Sequence, residues 1–325
     1  MSMVTRRTLL VAAGFAPAIA ASRVAAQAWP ARPVTLIIPF PAGGAMDLLG
    51  RGVAQELGDK LGAQFVVDNR AGAAGNIGAM AAAKAPPDGY TILMAGAGSL
   101  ALNKFMFASM PYDPETELIP IVLVSKLPHI FVVNPKVEAR TLKELVEYSK
   151  ANPGKLNAGV PGIGTTAHVT LAAFMKEAGA QLTVVPYRAE PQMLTDLVGG
   201  QLDVACTLTT SPGPHVLAGR LRALAVTSLS RTQQLPDVPT AQEAGFPGFE
   251  AIAWFALAAP AGTPPQIVEK INAAVNVFLR SDKGREDLRK LDSLPAGGTP
   301  EDTRAFIAGE SRKWGPIIKA AGIQM

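Results

Sequence analysis

Short apolar segments alternate with amphipathic segments of helical length along this chain, and that alternation limits the folds open to it. The predicted strands are residues 34–38, 64–67, 90–94, 121–124, 130–133, 182–185, 203–207, 223–227 and 249–258. The predicted helices are residues 45–61, 141–151, 165–178, 191–198, 264–280 and 300–321. Strands that alternate with helices in this way predict a parallel α/β architecture.

The turn after the first predicted strand is the clearest candidate for a binding site. Pro39 and Pro41 end the strand, Gly43 and Gly44 bend the chain, and a predicted helix begins at Ala45. The start of a helix presents unpaired backbone N–H groups and the positive end of the helix dipole, so this turn predicts an anion-binding loop. The alternative is a simple connection between a strand and a helix.

The N-terminus has the pattern of a secretory signal peptide. Arg6 and Arg7 precede the apolar residues 9–21, which are too few to span a bilayer, and small residues at 24–28 offer cleavage sites. We expect residues 1–28 to be removed before Trp29 and the mature protein to be soluble outside the cytoplasm. Paired arginines occur in twin-arginine leaders and in ordinary Sec leaders, so both export routes stay open.

The basic charge of the chain belongs mostly to this leader. Without Arg6, Arg7 and Arg23, 27 Lys and Arg remain against 26 Asp and Glu, so the formal charge falls from +4 to +1. A nucleic-acid binder needs basic residues clustered along one face, and a balanced chain does not favour one. We therefore expect no nucleic-acid partner.

The residues that usually carry catalysis or hold a cofactor do not form a recognisable pattern. His129, His168 and His215 lie far apart without metal-ligand spacing, and the apolar neighbours of Cys206 favour a buried, inert thiol over a nucleophile. The Gly43-Gly44 pair lacks the further residues of a P-loop or a dinucleotide-binding turn. We expect no catalytic residue, no metal and no cofactor.

Two passages between lobes are predicted, which implies a discontinuous domain with a cleft between two lobes. In the first, residues 125–128 interrupt the strand pair at 121–133, and the second is a Pro- and Gly-rich stretch at 235–249. The predicted division is a leader at 1–28, a first lobe at 29–126 and 249–325, and a second lobe at 127–248.

Ordered sequence blocks through the mature chain carry a family resemblance. They are residues 29–34 (WPARPV), 39–44 (PFPAGG), 68–78 (DNRAGAAGNIG), 87–91 (PDGYT), 111–114 (PYDP), 152–157 (NPGKLN), 185–188 (VPYR), 196–203 (DLVGGQLD), 219–227 (GRLRALAVT), 235–240 (LPDVPT) and 258–264 (AAPAGTP). In these blocks the chain resembles the substrate-binding proteins of tripartite tricarboxylate transporters, the Bug family.

The resemblance implies a type II periplasmic binding protein fold, with two lobes that are each a sheet flanked by helices. It implies a monomer that captures a small organic anion, a mono- or dicarboxylate, by closing its lobes and delivers it to the membrane permease of such a transporter. The alternatives are a ligand sensor that feeds a two-component signalling system and, less favoured, a periplasmic hydrolase on the same shell.

Glycine-containing turns after other strands supply further candidates for this capture. A buried carboxylate needs strong hydrogen bonds from fixed donors, and backbone amides at helix starts suit it best. The turn at 160–166 repeats the strand, glycine and helix pattern in the second lobe, and the turn at 96–99 offers the Ser99 hydroxyl. We expect the turns at 41–46 and 160–166 to hold the two ends of a diacid.

Three side chains at these turns have two open interpretations each. Asp47 either accepts N–H groups and holds the glycine turn in shape, which is favoured, or binds a ligand ammonium group or an ordered water. Ser99 is either a ligand donor or the N-cap of a short helix at Leu100. Phe40 either packs against the ligand or belongs to the core.

Departures from the family pattern mark the residues expected to select the ligand. Arg188, Ala189 and Glu190 stand where the family usually has a Lys followed by glycines, Thr207 where many relatives have an acid, and Met46 where Thr is common. Arg188 either clamps a carboxylate or pairs with Glu190 or another acid. For Glu190, a solvated position in the first turn of a helix is favoured over contact with a ligand ammonium group.

The predicted ligand-binding residues are Phe40, Ala42, Gly43, Gly44, Met46, Asp47, Ala97, Gly98, Ser99, Gly162, Ile163, Gly164, Thr165, Thr166, Arg188, Ala189, Glu190 and Thr207.

Overall fold

The computed structural model describes residues 29–325, so the predicted leader lies outside the described residues. Strands and helices alternate through them, as predicted. The strands are β1 (Val34–Ile38), β2 (Phe65–Asn69), β3 (Thr91–Gly96), β4 (Leu118–Val133), β5 (Asn157–Val160), β6 (Thr183–Pro186), β7 (Val204–Leu208), β8 (Arg222–Val226), β9 (Ile252–Pro260) and β10 (Leu294–Gly297). The helices are α1 (Ala45–Leu61), α2 (Asn76–Ala83), α3 (Leu142–Ala151), α4 (Thr166–Ala178), α5 (Glu190–Gly199), α6 (Gly213–Leu217), α7 (Pro265–Arg280), α8 (Asp282–Lys290) and α9 (Pro300–Ala320).

The strands form one continuous mixed sheet in two parts. The first sheet has the order β2-β1-β3-β9-β4-β10, in which β1 is parallel to β2 and β3 and the other neighbours are antiparallel. The second sheet consists of β8, β4, β7, β5 and β6, in which β5 is parallel to β6 and β7. The architecture is therefore α/β, but its sheet is only partly parallel.

Strand β4 belongs to both sheets, which corrects the interruption predicted at residues 125–128. Its first part pairs with β9 from Leu118 to Pro128, and its second part pairs with β7 and β8 from His129 or Ile130 to Val133. Pro128 lies where β4 changes from pairing with β9 to pairing with β7. Proline has no backbone N–H to donate, and this position is where a strand can lack one. The boundaries of the two lobes stay a prediction.

Some elements were not predicted because their sequences lack the usual pattern. Helix α2 (NIGAMAAA) has almost no polar face, and α8 is short, highly charged and separated from α7 only by Ser281. Strand β10 contains Pro295 and is mostly exposed, so the alternation of a half-buried strand is missing. Both β1 and α1, by contrast, have the predicted bounds.

Aromatic packing ties the two sheets to the helices that cover them. Phe131 of β4 lies 4.7 Å from Phe174 of α4, and Phe174 also contacts Phe246 and Phe249 at ring-centroid distances of 4.9 and 5.3 Å. Trp254 of β9 is fully buried and packs on Phe306 of α9. Rings at these distances contribute specific packing as well as apolar burial.

No helix within residues 29–325 combines the length and the apolar character that a membrane span requires.

The strand directions bring the candidate loops to one region. The C-terminal end of β3 pairs with Phe255, which itself pairs with Ser125 near the middle of β4. The C-terminal end of β7 pairs with His129, four residues further along β4. Because β1 is parallel to β3, and β5 and β6 run with β7, the loops that follow all five strands meet beside the middle of β4. Ligands of open α/β sheets bind beyond such strand ends.

Candidate functional site

The glycine loop before α1 is held in place by the carboxylate of Asp47. Asp47 is 2% exposed, and its Oδ2 accepts the N–H of Gly43 at 2.9 Å and the Nε–H of Arg51 at 3.0 Å. Its Oδ1 accepts from Nδ2 of Asn69 at 2.9 Å, and Asn69 also donates to the carbonyl of Phe40. Both carboxylate oxygens therefore bind the loop and its neighbours, which is the favoured scaffold role.

The charge of Asp47 is stabilised by these contacts. Burial by itself raises the pKa of the Asp47 carboxyl, but the hydrogen bonds from Arg51, Gly43 and Asn69 and the positive charge of Arg51 together hold that pKa below its ordinary value of 3.8. Asp47 is thus anionic at neutral pH, and its charge is matched by Arg51 within the scaffold.

The same network corrects the set of amides expected to face an anion. The N–H of Gly43 was predicted to contribute, but it already donates to Asp47. Within residues 29–325 the N–H groups of Gly44, Ala45 and Met46, at the N-terminus of α1, have no acceptor. Gly43 therefore leaves the predicted set of open donors, Gly44 and Met46 stay in it, and Ala45 joins it.

Two apolar side chains beside the loop lie against its neighbours. Phe40 is half-buried. Its ring lies against Gly75 and packs on the hydrophobic core beneath β1. Met46 is 6% exposed, and its methyl group lies against Gly96 at the end of β3. Met46 thus connects the first loop to the turn at Gly96, while contact of either side chain with a ligand stays a prediction.

The loop before α4 has the predicted geometry, with one amide already used. Thr165 is the N-cap of α4, and its Oγ1 accepts the N–H of His168 and donates to the carbonyl of Gly162. The N–H of Gly164 donates to Nδ1 of His168 at 3.1 Å, so this amide, like that of Gly43, is satisfied within its own loop. Ile163 is 46% exposed at the tip of the loop.

His129 links this loop to the middle of β4. Its Nε2 lies 3.0 Å from Oγ1 of Thr166, and its Nδ1 lies 3.3 Å from the carbonyl of Ala251 and from Oγ1 of Thr170. Complete burial lowers the pKa of His129 to about 4, although the contact with the Ala251 carbonyl opposes that shift. A neutral imidazole therefore anchors the start of α4.

The turn after β3 excludes one of the two interpretations of Ser99. Ser99 lies inside a π-helical turn, Gly98–Leu102, whose N-cap is Ala97, so Ser99 is not the N-cap of a helix at Leu100. Its side chain is 2% exposed and its Oγ has no hydrogen-bond partner among the described residues. A buried unpaired hydroxyl is costly unless something binds it, and π-helical turns are frequent at functional sites.

Arg188 and Glu190 do not form the ion pair that was one of the alternatives. Glu190 instead accepts a hydrogen bond from the buried Thr207 hydroxyl, and burial raises the pKa of Glu190 despite hydrogen bonds from Thr207 and Ser211. Glu190 does lie in the first turn of α5, as the favoured interpretation has it, but its carboxyl group is partly buried against Thr207 of β7 and is not fully solvated. Arg188 and Ala189 are exposed, and no carboxylate lies within 4.0 Å of Arg188 in the described residues.

Several supporting residues were missed by the sequence reasoning. Arg51 and Asn69 were not singled out, although Asn69 lies in the block at 68–78 that carries the family resemblance. Tyr112 donates to the Ser99 carbonyl at 2.6 Å, and Asn103 donates to Asn76 at 2.6 Å behind the same turn. Only residue type and position in a sequence block could have indicated these contacts, because the partners are far apart in the chain.

Metal ligation and thiol chemistry find no support in the geometry. Within residues 29–325, His, Cys, Asp and Glu side chains do not gather in groups of three that would hold a metal ion. Cys206 is fully buried in β7, and burial raises the pKa of its thiol, as expected for an inert strand residue.

A family model for the tripartite tricarboxylate transporter family receptor, TctC, matches residues 49–323. Among curated proteins, BugT of Bordetella pertussis is 37% identical over 324 residues, covering 99% of this chain and 99% of BugT. The Bug resemblance predicted from the sequence blocks is therefore confirmed.

Two solved structures share the fold. Rpa4515 of R. palustris, solved with adipate, is 38% identical to this chain with a TM-score of 0.85. The match covers 91% of this chain and 99% of the Rpa4515 chain. MatC (Rpa3494) of Rhodopseudomonas palustris, solved with bound malate, is 30% identical with a TM-score of 0.81 and covers 89% of this chain and 100% of its own. The predicted two-lobed periplasmic-binding-protein fold is confirmed by this similarity.

Replacing Asp47 with Asn should destabilise the protein by about 1–3 kcal/mol at pH 7, because three donors lose a charged acceptor. The lowered pKa means that this contribution is present above the ordinary value of 3.8 and is lost as pH falls through the folded-state pKa. Urea unfolding at several pH values measures it, with exposed Asp59→Asn on the same helix as control. An equal effect of both substitutions at pH 7 would contradict the scaffold role.

Replacing Glu190 with Gln should stabilise the protein at pH 7, since Gln can still accept from Thr207 and carries no charge into a partly buried position. A raised pKa makes the native carboxyl lose stability as pH rises above the ordinary value of 4.5 and through its folded-state pKa. The melting temperatures of the two proteins should therefore diverge with rising pH, whereas the exposed Glu147→Gln control should stay parallel to the native protein. A constant difference at all pH values would contradict a raised pKa for Glu190.

Proposed function

Because the chain belongs to the tripartite tricarboxylate transporter receptor family, we propose that it is a periplasmic solute receptor that captures a small organic anion between its two lobes. The proposed ligands are mono- and dicarboxylates, including aromatic and amide-bearing acids. The receptor delivers them to the membrane permease of a tripartite transporter. It acts as a monomer without a cofactor and without catalysis.

The observation that carries this proposal is the set of open amides at the N-terminus of α1. The N–H groups of Gly44, Ala45 and Met46 have no acceptor in the described residues, and they lie at the positive end of a seventeen-residue helix. Asp47 fixes the loop without using these three donors. An entering carboxylate thus meets preorganised donors and exchanges its water shell for charge-assisted hydrogen bonds.

The second lobe offers a comparable set of donors to the other end of the ligand. The N–H groups of Thr166 and Ala167 open helix α4, and no acceptor among the described residues takes them. The Ser99 hydroxyl adds a side-chain donor to these two groups of amides, because it is buried and unpaired among the described residues beside the loops of the first lobe. Two groups of amides on different lobes suit a diacid, and Rpa4515 and MatC were solved with the diacids adipate and malate.

Two side chains at the entrance set the proposed selectivity. The exposed Arg188 has no acidic partner within 4.0 Å among the described residues and is available to a second carboxylate. Glu190 is partly buried against Thr207, and burial raises its pKa, so a neutral polar group on the ligand suits this position better than a second carboxylate. We therefore propose that a hydroxyl or amide group on the ligand meets Glu190.

The proposed cellular route follows from the predicted leader. Residues 1–28 would direct export and be removed before Trp29, through either the Sec or the twin-arginine route.

Thermal unfolding with a panel of mono- and dicarboxylates tests the binding class. A ligand at one hundred times its Kd should stabilise the protein by about 2.7 kcal/mol and raise the melting temperature by several degrees. Mass spectrometry after incubation should recover the ligand unchanged. A panel without any shift would refute the carboxylate class, and a product of altered mass would favour the hydrolase alternative.

Replacing Gly44 with Pro should weaken carboxylate binding by about tenfold or more, because it removes one charge-assisted donor. Gly44 has φ −80°, close to the angle of proline, so the backbone tolerates the change. Gly44→Ala is the matched control, since it keeps the N–H and its added Cβ meets no atom closer than 4.0 Å. Calorimetric titration that gives both variants the same affinity would contradict a role for this amide.

A further inference from the structure

A large groove lies on the first lobe, away from the candidate ligand site. Its volume is about 760 Å³, and its walls come from two stretches of chain, residues 100–120 and 304–319. Helix α9 forms one wall, and the segments around Phe105 and Leu118 form the other. None of the predicted ligand-binding residues lines it, and no residue of the second sheet does.

Small residues of α9 create the hollow. Ala308, Ser311 and Gly315 lie on one face of the helix between Arg304 and Lys319, at spacings of three and four residues. A Cβ atom at Gly315 would lie 2.7 Å from the ring of Phe105, so the glycine lets that ring form the floor of the groove. Larger side chains at these positions would fill the trough.

The length of the trough favours a peptide segment over a small molecule. Arg304 and Lys319 are fifteen residues apart on α9, which corresponds to about 22 Å along the helix axis. That is about four helical turns, the length over which an amphipathic helix lays its apolar residues into a groove.

Positive charge is concentrated along the rim. Four cationic side chains and one carboxylate line the groove, which gives +3, whereas the whole of residues 29–325 carries +1. Lys104 is paired with that carboxylate, Glu115. Arg304, Arg312 and Lys319 are exposed, and no carboxylate lies within 4.0 Å of them in the described part of the chain.

Helix α9 also reaches toward the candidate ligand site with its other face. Glu310 accepts the indole N–H groups of Trp254 and Trp314, and a small void beside Glu310 is lined by Ala97, Thr166 and Thr170. Leu100 lines the groove one residue after Ser99. A segment bound in the groove would therefore contact the same helix and the same π-helical turn that border the ligand site.

We propose that this groove docks an acidic amphipathic helix of the transporter's membrane permease, with apolar side chains in the trough and carboxylates beside Arg304, Arg312 and Lys319. The charge and apolar pattern define the helix, while its assignment to the permease rests on the proposed function. Docking at this face leaves the ligand cleft accessible.

Site-specific crosslinking in the native host tests the contact. A photoreactive benzoyl-phenylalanine at the exposed Ala305, beside Arg304 on the rim and outside the trough, should crosslink to a membrane transport subunit, and mass spectrometry should place the adduct on an acidic amphipathic segment. The same residue at the exposed Ala151, at the end of α3, is the control position. An adduct with a second copy of this chain, with lipid, or with no partner beyond that seen at Ala151 would overturn the proposal.

Charge reversal tests the recognition. Arg304→Glu, Arg312→Glu and Lys319→Glu together should reduce the Ala305 crosslink and carboxylate uptake by about tenfold. The control carries Lys143→Glu, Lys155→Glu and Arg280→Glu, which change the charge equally at other exposed positions. Equal loss in both triple variants would overturn the proposal.

Ligand affinity separates this proposal from the proposed function. Calorimetry with the carboxylate identified by the panel should give the charge-reversed protein a Kd within about twofold of the native value, because the groove lies outside the cleft. If no carboxylate binds the native protein, the carboxylate-receptor role fails, whereas the crosslink at Ala305 still supports or overturns docking in the groove. If carboxylates bind but the crosslink is missing, the groove proposal alone fails.

Discussion

The sixteen-residue strand β4 is hydrogen-bonded into both sheets, and the positions of all candidate loops follow from it. Its first part pairs with β9 and its second part with β7 and β8. The parallel strands of each sheet therefore end beside the middle of β4, where His129 and Pro128 lie. Breaking the buried backbone hydrogen bonds on either side of β4 would be costly. Relative movement of the lobes must therefore bend or twist the connecting strands and leave these hydrogen bonds intact.

The chemistry of the proposed site depends on which donors the protein satisfies internally. Asp47 uses the Gly43 amide and His168 uses the Gly164 amide, so one positive-φ glycine in each loop is fixed by a side chain of its own loop or helix. The amides that follow, at the starts of α1 and α4, remain open. A site built in this way has rigid geometry before the ligand arrives, so less binding free energy is spent on ordering the loops.

The regular parts of the fold could be predicted where the spacing of apolar residues and the Pro or Gly residues at the ends indicate the same element, as at β1 and α1. Strand β10 and helix α2 were not predicted. Strand β10 lacks the alternation of apolar and polar residues of a half-buried strand, and α2 has almost no polar face. The two site loops were found from local glycine patterns, but the contact between Glu190 and Thr207 joins residues seventeen positions apart and depends on how α5 packs on β7. Such contacts arise from tertiary packing, which local periodicity does not encode.

In the proposed complex, amides from both lobes hold one carboxylate ligand. Amide chemical shifts of ¹⁵N-labelled protein, recorded while the tightest-binding dicarboxylate of the panel is titrated, test it directly. The amide signals of Gly44, Ala45 and Thr166 should shift together along one saturation curve. A ligand that binds while the amides of only one lobe shift, or while none of these three shifts, would contradict it.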